Sequence, residues 1–399
     1  MTVNTDFQKI EELLVRGVED VIVKEHLEQA LKSGKQLRVK FGIDPTAPDI
    51  HLGHTVVLRK LRAFQDLGHH VILLIGDFTA KIGDPSGRSE ARKPLSEEDV
   101  ENNMKGYLEQ AGKIIDIKKA EVVYNSSWFA KEGLRELIDL SSTGSIQQVL
   151  RRADFRKRLD EDNDITLLEA LYPLFQGYDS VKVKADVEIG GTDQLFNLLM
   201  GRRVQRHYKM PEQDILTAQL LEGTDGVKKM SKSVGNYVGV NDEPVDMFSK
   251  VMTIKDDLIL KYFWLCTDVS QDELDNYEKQ LNEGANPRDI KMKLGKKIVA
   301  MYHSKEEAER AAAEFEKVFS KKELPENIAE HKISANPISL ADLLVESDIA
   351  KSKGEAKRLV EQGGVEIDGA VEKDWGKQIE FKGGEVVQAG KRKFIKIIL

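Results

Sequence analysis

Phe41-Gly42-Ile43-Asp44-Pro45-Thr46-Ala47-Pro48-Asp49-Ile50-His51-Leu52-Gly53-His54 is the stretch on which the reading of the fold turns. A β-rich run, Leu37 to Ile43, leads into it. An amphipathic run, Thr55 to Leu67, leads out, with Val57, Leu61 and Phe64 at helical spacing and Gly68 as a C-terminal stop. Val71 to Gly76, Glu121 to Tyr124 and Asp186 to Ile189 read as further strands. Strands alternating with helices predict a parallel sheet covered on both faces. Such sheets bind ligands at the carboxyl ends of their strands, on loops leading into helices, and the histidine pair falls there. Backbone N–H groups at a helix start suit phosphate, and imidazole can donate to a phosphoryl oxygen as charge builds on it. Gly53 leaves room for an adenine-sized ring against the backbone. His-x-x-His is also a zinc spacing, but no glutamate separates the two histidines and no third ligand is near in sequence.

The chain has 399 residues, 40% of them hydrophobic and 32% charged, enough for roughly two or three domains with a real core. That balance excludes disordered, collagen-like and low-complexity classes. Sixty basic against sixty-eight acidic residues give a net charge of -8. An indiscriminate nucleic-acid coat is therefore excluded, and any polyanion must meet local basic patches. A single cysteine, Cys266, rules out an internal disulfide framework and fits a reducing cytosol. The segment Met1 to Asp6 carries no basic, apolar leader, and no apolar run approaches membrane-spanning length. The expectation is a soluble cytoplasmic protein.

From about Glu243 the pattern turns to long helices. Asn286-Pro287-Arg288-Asp289 combines a cap, a first-position proline and a first-turn acid, and Ile290, Leu294, Ile298 and Met301 mark one buried face. The polar, Pro-bracketed stretch from Pro325 to Pro337 reads as a linker. Beyond it Ser352-Lys353-Gly354-Glu355 is a capping box opening a helix with Ala356, Leu359 and Val360 inward. Gly363-Gly364 ends that helix. Val365 and Ile367 start a strand that turns at Asp368-Gly369, and a basic, β-branched tail runs from Lys391 to Leu399. The domain boundaries expected are 1–240, 241–325, a linker over 326–336, and 337–399.

A second chemical string is Lys228-Lys229-Met230-Ser231-Lys232-Ser233-Val234-Gly235-Asn236. Two lysines three apart, with small residues between, suit a mobile loop that reaches a triphosphate; a solvated basic loop has the same composition. No G-x-x-x-x-G-K-[ST] loop occurs, which disfavours a P-loop ATPase. In this order and about 175 residues apart, His51-Leu52-Gly53-His54 and Lys229 to Ser233 resemble the HIGH and KMSKS motifs of class I aminoacyl-tRNA synthetases, the second letter for letter. Tyr172-Pro-Leu-Phe-Gln176-Gly-Tyr-Asp179 and Gly190-Gly191-Thr192-Asp193-Gln194 resemble the substrate strings of tyrosyl-tRNA synthetases. Spacing of four then three puts Tyr172, Gln176 and Asp179 on one helix face, and a buried Asp179 requires a partner. Phe175 reads as ordinary packing.

The resemblance covers nearly the whole chain. It implies an α/β fold: a Rossmann-like nucleotide-binding parallel-sheet domain, then a helical domain and a small α+β RNA-binding domain of the alpha-L type. It implies a tyrosine–tRNA ligase that forms tyrosyl-adenylate from tyrosine and ATP and then charges tRNA(Tyr). Mg²⁺ would accompany the nucleotide, no metal would be bound by the protein itself, and the molecule would be a homodimer. Asp179 would accept the phenol proton, and Tyr172, Gln176 and Asp84 would hold the ammonium. Gln194 would lie along the tyrosine and its activated carboxyl. Asp193, with Asp44, Gly53 and Gly191, would bind ATP. His51, His54, Lys229, Lys232, Ser233 and Thr46 would act on the phosphates. Arg88 and Arg92, in Ile82-Gly83-Asp84-Pro85-Ser86-Gly87-Arg88, continuing to Arg92, would approach pyrophosphate. Where many relatives carry a tyrosine that bonds the substrate hydroxyl, this chain has Lys40, able to donate to that oxygen or to point away.

For RNA, Lys351, Lys353, Lys357 and Arg358 lie at or near a helix start. Residues 337–399 hold eleven basic and eleven acidic side chains, so contact must be a patch. The basic run containing Arg151 and Arg152 either meets the tRNA acceptor end or is a solvated helix face. The rival readings are a tryptophanyl synthetase and a non-catalytic RNA-binding paralogue.

Overall fold

The computed structural model describes residues 2–86, 95–320, 328–390 and 393–399, with the backbone alone at 318–320. Short aliphatic runs form six strands: β1 Val18–Ile22, β2 Arg38–Ile43, β3 His70–Ile75, β4 Glu121–Tyr124, β5 Val187–Gly191 and β6 Asp214–Ala218. They join in the order β1-β6-β5-β2-β3-β4, all parallel except β1, which runs antiparallel to β6. The strands β2 to β5 fall within two residues of the expected ends. Strands β1 and β6 lie outside the strands expected from the sequence. The first carries exposed Glu19 and Asp20 and the second, Asp-Ile-Leu-Thr-Ala, is a short buried run without alternation. From β2 the order runs outward to β3 and β4 on one side and through β5 and β6 on the other. The reversal lies between β2 and β5, where an open α/β sheet forms its ligand crevice.

Helix Leu52–Asp66 begins three residues earlier than its hydrophobic pattern, because His51 in extended conformation is the cap. Gly68 stops the turn at φ +88°, a left-handed conformation that favours glycine. Helix Leu167–Lys182 starts at a reciprocal cap between Thr166 and Glu169. The same Glu169 takes a 2.8 Å ion pair from the fully buried Arg158. Helix Leu195–His207 crosses it so closely that a Cβ on Gly177 would lie 2.8 Å from Val204 Cγ2. Glycine is what permits that approach.

The chain divides into two compact units, Met1–Asp242 with Thr253–Leu294, and Glu243–Met252 with Gly295–Leu399. The helical segment expected as one domain over 241–325 is thus shared between them. In the second unit, helices Pro244–Met252 and Lys305–Ser320 meet through Phe248 and Phe315, ring centroids 5.5 Å apart. Its strands are β7 Ala329–Lys332, β8 Ile338–Ser339, β9 Val365–Ile367, β10 Ala370–Val371, β11 Gln378–Ile379, β12 Val386–Ala389 and β13 Lys393–Ile398. Five make a sheet, β10-β9-β12-β13-β7, and β11 pairs with β8. Strand β7 corrects the expected linker over 326–336, of which 326 and 327 lie outside the described residues. It is an edge strand, parallel to β13 and mostly exposed, so its Ala-Glu-His-Lys sequence carries no apolar signal. Ser352 caps helix Lys353–Glu361 as read, but Glu355 reaches back to the Lys351 N–H at 2.8 Å rather than to that of Ser352. Ala356 and Val360 are buried, and Asp368 and Gly369 turn with positive φ.

Replacing Glu169 by alanine leaves the buried Arg158 guanidinium without its carboxylate. Urea unfolding of Glu169→Ala is expected to show a loss of about 3–5 kcal/mol; a change under about 1 kcal/mol would show that water reaches Arg158.

Candidate active site

The ends of β2 and β5 frame the crevice, and the lysine string closes over it. Leu52 N–H donates to Val238 O and Val240 N–H to Ile50 O, each at 2.9 Å. This short ladder ties the chain after the lysines to the chain before the histidine helix. Met230, itself buried, puts its Sδ 3.4 Å from the Gly53 N–H. A Cβ on Gly53 would come 3.1 Å from the His51 ring and 3.5 Å from Met230. The space over Gly53, expected to receive adenine, is here lined by those two side chains. Lys232 pairs with Asp49, and its Nζ also lies 5.4 Å from the Tyr237 ring centroid; Lys229 pairs with Asp193. Ser231 and Ser233 hydroxyls are 3.0 Å apart on the exposed part of the loop.

His51 and His54 stack with centroids 3.7 Å apart. The His51 backbone N–H donates to His54 Nδ1 at 3.3 Å. In the neutral ring this bond places the remaining proton on Nε2. Burial, followed by the Lys229 and Lys232 charges, pushes His54 down to about 3. Burial and the neighbouring His54 hold His51 well below the usual imidazole range. His51 Nδ1 is buried with no hydrogen-bond partner, a polar atom suited to a ligand. Thr46 N–H donates to Asp44 O at 2.8 Å, bracing the turn.

Deeper in the crevice a closed polar circuit runs from helix to helix. Tyr172 OH donates to Asp44 Oδ2 at 2.9 Å, and Thr79 Oγ1 to Asp44 Oδ1 at 2.7 Å. Asn125 Nδ2 donates to Thr79 Oγ1 at 2.9 Å and to Asp179 Oδ2 at 3.2 Å; Trp128 Nε1 donates to Asp179 Oδ1 at 3.0 Å. A side chain at Gly76 would collide with Asp44 and Thr79. Asp179 is pushed up from its ordinary 3.8 to about 7 because burial penalises its charge, against the Lys40 charge and the Asn125 and Trp128 bonds that favour it. Burial and the Asp44 carboxylate raise the Tyr172 phenol, which stays a donor at neutral pH. Asp84 accepts from Gln194 Nε2 at 2.7 Å, from Asn197 Nδ2 at 3.3 Å and from the Ser86 N–H at 3.0 Å.

The tertiary structure thus gathers His51, His54, Lys229, Lys232, Asp44, Tyr172, Asp179, Asp84, Gln194, Gly191 and Asp193 around one crevice. Gln176 lies on the same helix, its Nε2 donating to Glu188 Oε1 at 3.1 Å. Lys40 points away from the crevice floor: it is fully buried and donates to Gln176 O, Ser180 Oγ and Glu188 Oε1, all at 2.9 Å. Arg152, expected to face tRNA, is corrected. Its buried guanidinium donates to Asn197 Oδ1 at 2.9 Å and to Ser86 Oγ at 3.0 Å and pairs with Asp154. A guanidinium with those partners within reach is held by them, while Arg151 stays exposed. Phe175 packs edge-on to Phe129, as expected. Arg88 and Arg92 lie outside the described residues. In the second unit Lys351, Lys353, Lys357 and Arg358 are exposed; Lys353 pairs with Asp342 at 2.5 Å, and Lys357 Nζ lies 4.8 Å from the Trp375 centroid.

Sequence reasoning missed Asn125, Trp128, Thr79, Asn197 and Asp49. The first two follow directly on β4 and could have been found by the strand-end rule that marked the histidines. Among the described residues no three His, Cys, Asp or Glu side chains form a group able to hold a metal ion, and no helix is long and apolar enough to cross a membrane.

Residues 32–320 match the family described as tRNA synthetases class I (W and Y), and 314–397 match the tyrosine–tRNA ligase SYY-like C-terminal domain. The chain belongs to this family of class I tRNA synthetases. Its similarity runs to the tyrosine–tRNA ligases in particular. It is 50% identical to that of Thermotoga maritima, with 96% of each chain covered, and 47% identical to that of Nitrosomonas europaea, covering 97% of this chain and 95% of the other. The fold is also that of a C-terminally truncated Aspergillus nidulans mitochondrial tyrosyl-tRNA synthetase, at TM-score 0.66 and 22% identity over 78% of this chain and 94% of the other. An Archaeoglobus fulgidus tyrosyl-tRNA synthetase complexed with L-tyrosine gives TM-score 0.62 and 22% identity over 77% and 100%.

Because the folded state keeps Asp179 protonated up to about 7 while an unfolded aspartate ionises near 3.8, its contribution to stability is full below that lower value. It is lost as pH rises through the window. Relative to Asp179→Asn, the wild-type unfolding free energy is expected to fall by on the order of 4 kcal/mol between pH 4 and 7, read by denaturant titrations; parallel pH profiles would exclude a buried, protonated Asp179.

Proposed function

We propose that this crevice carries out the tyrosine–tRNA ligase reaction: tyrosine and ATP give tyrosyl-adenylate and pyrophosphate, and tyrosine then passes to the terminal ribose of tRNA(Tyr). The observation that carries the reading is the docking of the Met230–Lys232 loop on the His51–His54 helix start, joined after β2 by the hydrogen-bond circuit from Asp44 and Tyr172 to Asp179. The tyrosine carboxylate attacks the α-phosphorus in line as the bond to pyrophosphate breaks. No side-chain nucleophile takes part; positioning and charge stabilisation do the catalysis. Neutral His54 offers its Nε2–H and His51 its unpartnered ring nitrogen to phosphoryl oxygens. Lys229 and Lys232 exchange Asp193 and Asp49 for phosphate oxygens, an interaction that strengthens as charge develops on the leaving group. Gly191 and Asp193 take the nucleoside side, with Ser233 and Thr46 bracing their loops, and Asp44, bonded to Tyr172 and Thr79, stands where that side meets the amino-acid side. From the sequence resemblance, Arg88 and Arg92 serve the pyrophosphate. Mg²⁺ enters with the nucleotide and offsets phosphate charge there.

At the floor, Asp179, which burial pushes up to about 7, accepts the phenol hydrogen bond once it ionises near that pH, held in place by Asn125 and Trp128. Phenylalanine would leave that carboxylate without its partner, which is the source of discrimination. Tyr172, Gln176 and Asp84 hold the ammonium, and Gln194 lies along the carboxyl. The exposed Lys351, Lys353, Lys357 and Arg358 dock RNA phosphates from a small domain that begins near β7, and Arg151 meets the acceptor end. The working compartment is the cytoplasm, in keeping with the lone buried Cys266.

Lys232→Ala is expected to cut tyrosine-dependent ATP–pyrophosphate exchange by about 10²-fold or more while the Kd for tyrosine stays within about twofold; undiminished exchange would remove the loop from the chemistry.

The homodimer rests on an apolar surface of the first unit, where Leu167 is 80%, Leu134 72% and Ile138 63% exposed, with Ile146, Leu159 and Leu168 also outside. Beside them Ile146, Leu150, Leu159, Ile165 and Leu167 help line a cavity of about 270 Å³. Isolated apolar residues on a surface need no partner, but the group that lines this cavity, exposed at Ile146, Leu159 and Leu167, marks an interaction site. Light scattering of Leu167→Glu with Ile138→Glu is expected to show monomer where the wild type shows dimer; a wild-type monomer at micromolar concentration would contradict the assignment.

A further inference from the structure

Beneath the helix that carries Tyr172, Gln176 and Asp179 lies a buried polar network whose members, Gln176 apart, no step above uses. Lys40 on β2 is fully buried, and its ammonium donates at 2.9 Å to Gln176 O, Ser180 Oγ and Glu188 Oε1. An ammonium has three protons, and all three are used. Glu188 on β5 is 1% exposed. Its Oε1 also accepts from Gln176 Nε2 at 3.1 Å, and its Oε2 accepts from Ser180 Oγ at 3.0 Å and from Gln213 Nε2. Both oxygens thus receive two bonds each, which saturates the carboxylate. Such a network tolerates one arrangement.

The consequence falls on Gln176. A side-chain amide can present either its NH₂ or its oxygen to a neighbour, and the two ends differ little in shape. A carboxylate only accepts, so Glu188 must receive the Nε2 end. The carbonyl oxygen is then the end left for the crevice, between Tyr172 one turn before and Asp179 three residues after. A carbonyl oxygen can bind an ammonium; an NH₂ group there would repel it.

We propose that Glu188 and Lys40 are positioning residues for the amino group of tyrosine: Glu188 locks the Gln176 amide with its oxygen toward the substrate ammonium, and Lys40 balances the buried Glu188 charge and anchors the same turn of helix through Gln176 O and Ser180. The inference rests on the proposed contact between Gln176 and the ammonium. Replacing Glu188 by glutamine keeps the volume but leaves one acceptor oxygen facing Lys40, Gln213, Ser180 and Gln176. Gln176 then loses its reason to hold one orientation.

The test compares equilibrium binding of tyrosine with that of its desamino analogue, hydroxyphenylpropionate, which keeps the phenol and carboxylate. Glu188→Gln is expected to weaken tyrosine about tenfold or more, the size of a hydrogen bond to a charged group. The analogue should stay within about twofold, as should ATP. The double variant Lys40→Met with Glu188→Gln removes both buried charges and guards against a folding defect. It should show the same collapse of the tyrosine-to-analogue ratio with a cooperative unfolding transition. Equal weakening of both ligands, or an unchanged ratio in a folded variant, overturns the proposal. Gln176→Met separates the two layers. If it too leaves the ratio unchanged, the ammonium contact itself is wrong; if it collapses the ratio while the Glu188 and Lys40 variants do not, the positioning role alone fails.

Discussion

Two backbone hydrogen bonds, Leu52 N–H to Val238 O and Val240 N–H to Ile50 O, hold the active centre together. They splice the segment after the lysine loop onto the segment that enters the histidine helix. Everything on the phosphate side depends on that splice. It seats Met230 against Gly53, brings Lys232 to Asp49 and Lys229 to Asp193, and sets two lysine charges beside two imidazoles. Desolvated imidazoles near cations stay neutral, so the histidines are not a cationic pair, and His54 is a hydrogen-bond donor with a defined tautomer. The fixed positive charge comes instead from the lysines, whose long stems can change partner without moving the backbone.

The amino-acid side of the crevice is built on a different device. Here carboxylates are partly or wholly buried and then partnered. Asp179 sits among Asn125 and Trp128, Asp44 between Thr79 and Tyr172, Asp84 among Gln194, Asn197 and Ser86, and Glu188 among Lys40, Ser180, Gln176 and Gln213. Asp179 and Glu188 are stripped of water and Asp44 and Asp84 are half-buried, so each donor around them matters more than it would at a surface. Three of the four sets meet on helix Leu167–Lys182, and the Asp84 set joins the start of helix Leu195–His207. Asp179 stands apart among them. Its charge is opposed by burial, and a phenol proton offered to it would compete with its own.

Much of the catalytic half was legible in the chain. The strand before Asp44, the helix after His51, the stop at Gly68 and the face shared by Tyr172, Gln176 and Asp179 follow from local periodicity and caps, which act over three or four residues. Strands β1 and β6 escaped because one alternates weakly and the other is buried on both faces. Strand β7 escaped because an exposed edge needs no apolar residue. Lys40 could be seen in sequence only as an anomaly. Its direction was settled by Glu188, nearly 150 residues later, and the same holds for Arg152, which reads as a surface cation until Asn197 and Asp154 claim it.

The chain alone, then, was enough to mark the candidate residues by side-chain type and to say on which kind of element most of them ride, because helical spacing and capping are local properties. Which of those residues share a cavity, which face their own carboxylates and which amide end looks outward were decided only by the tertiary structure. Those outcomes depend on desolvation and on hydrogen-bond partners brought in from distant strands, and no local pattern encodes a distance between segments that far apart along the chain.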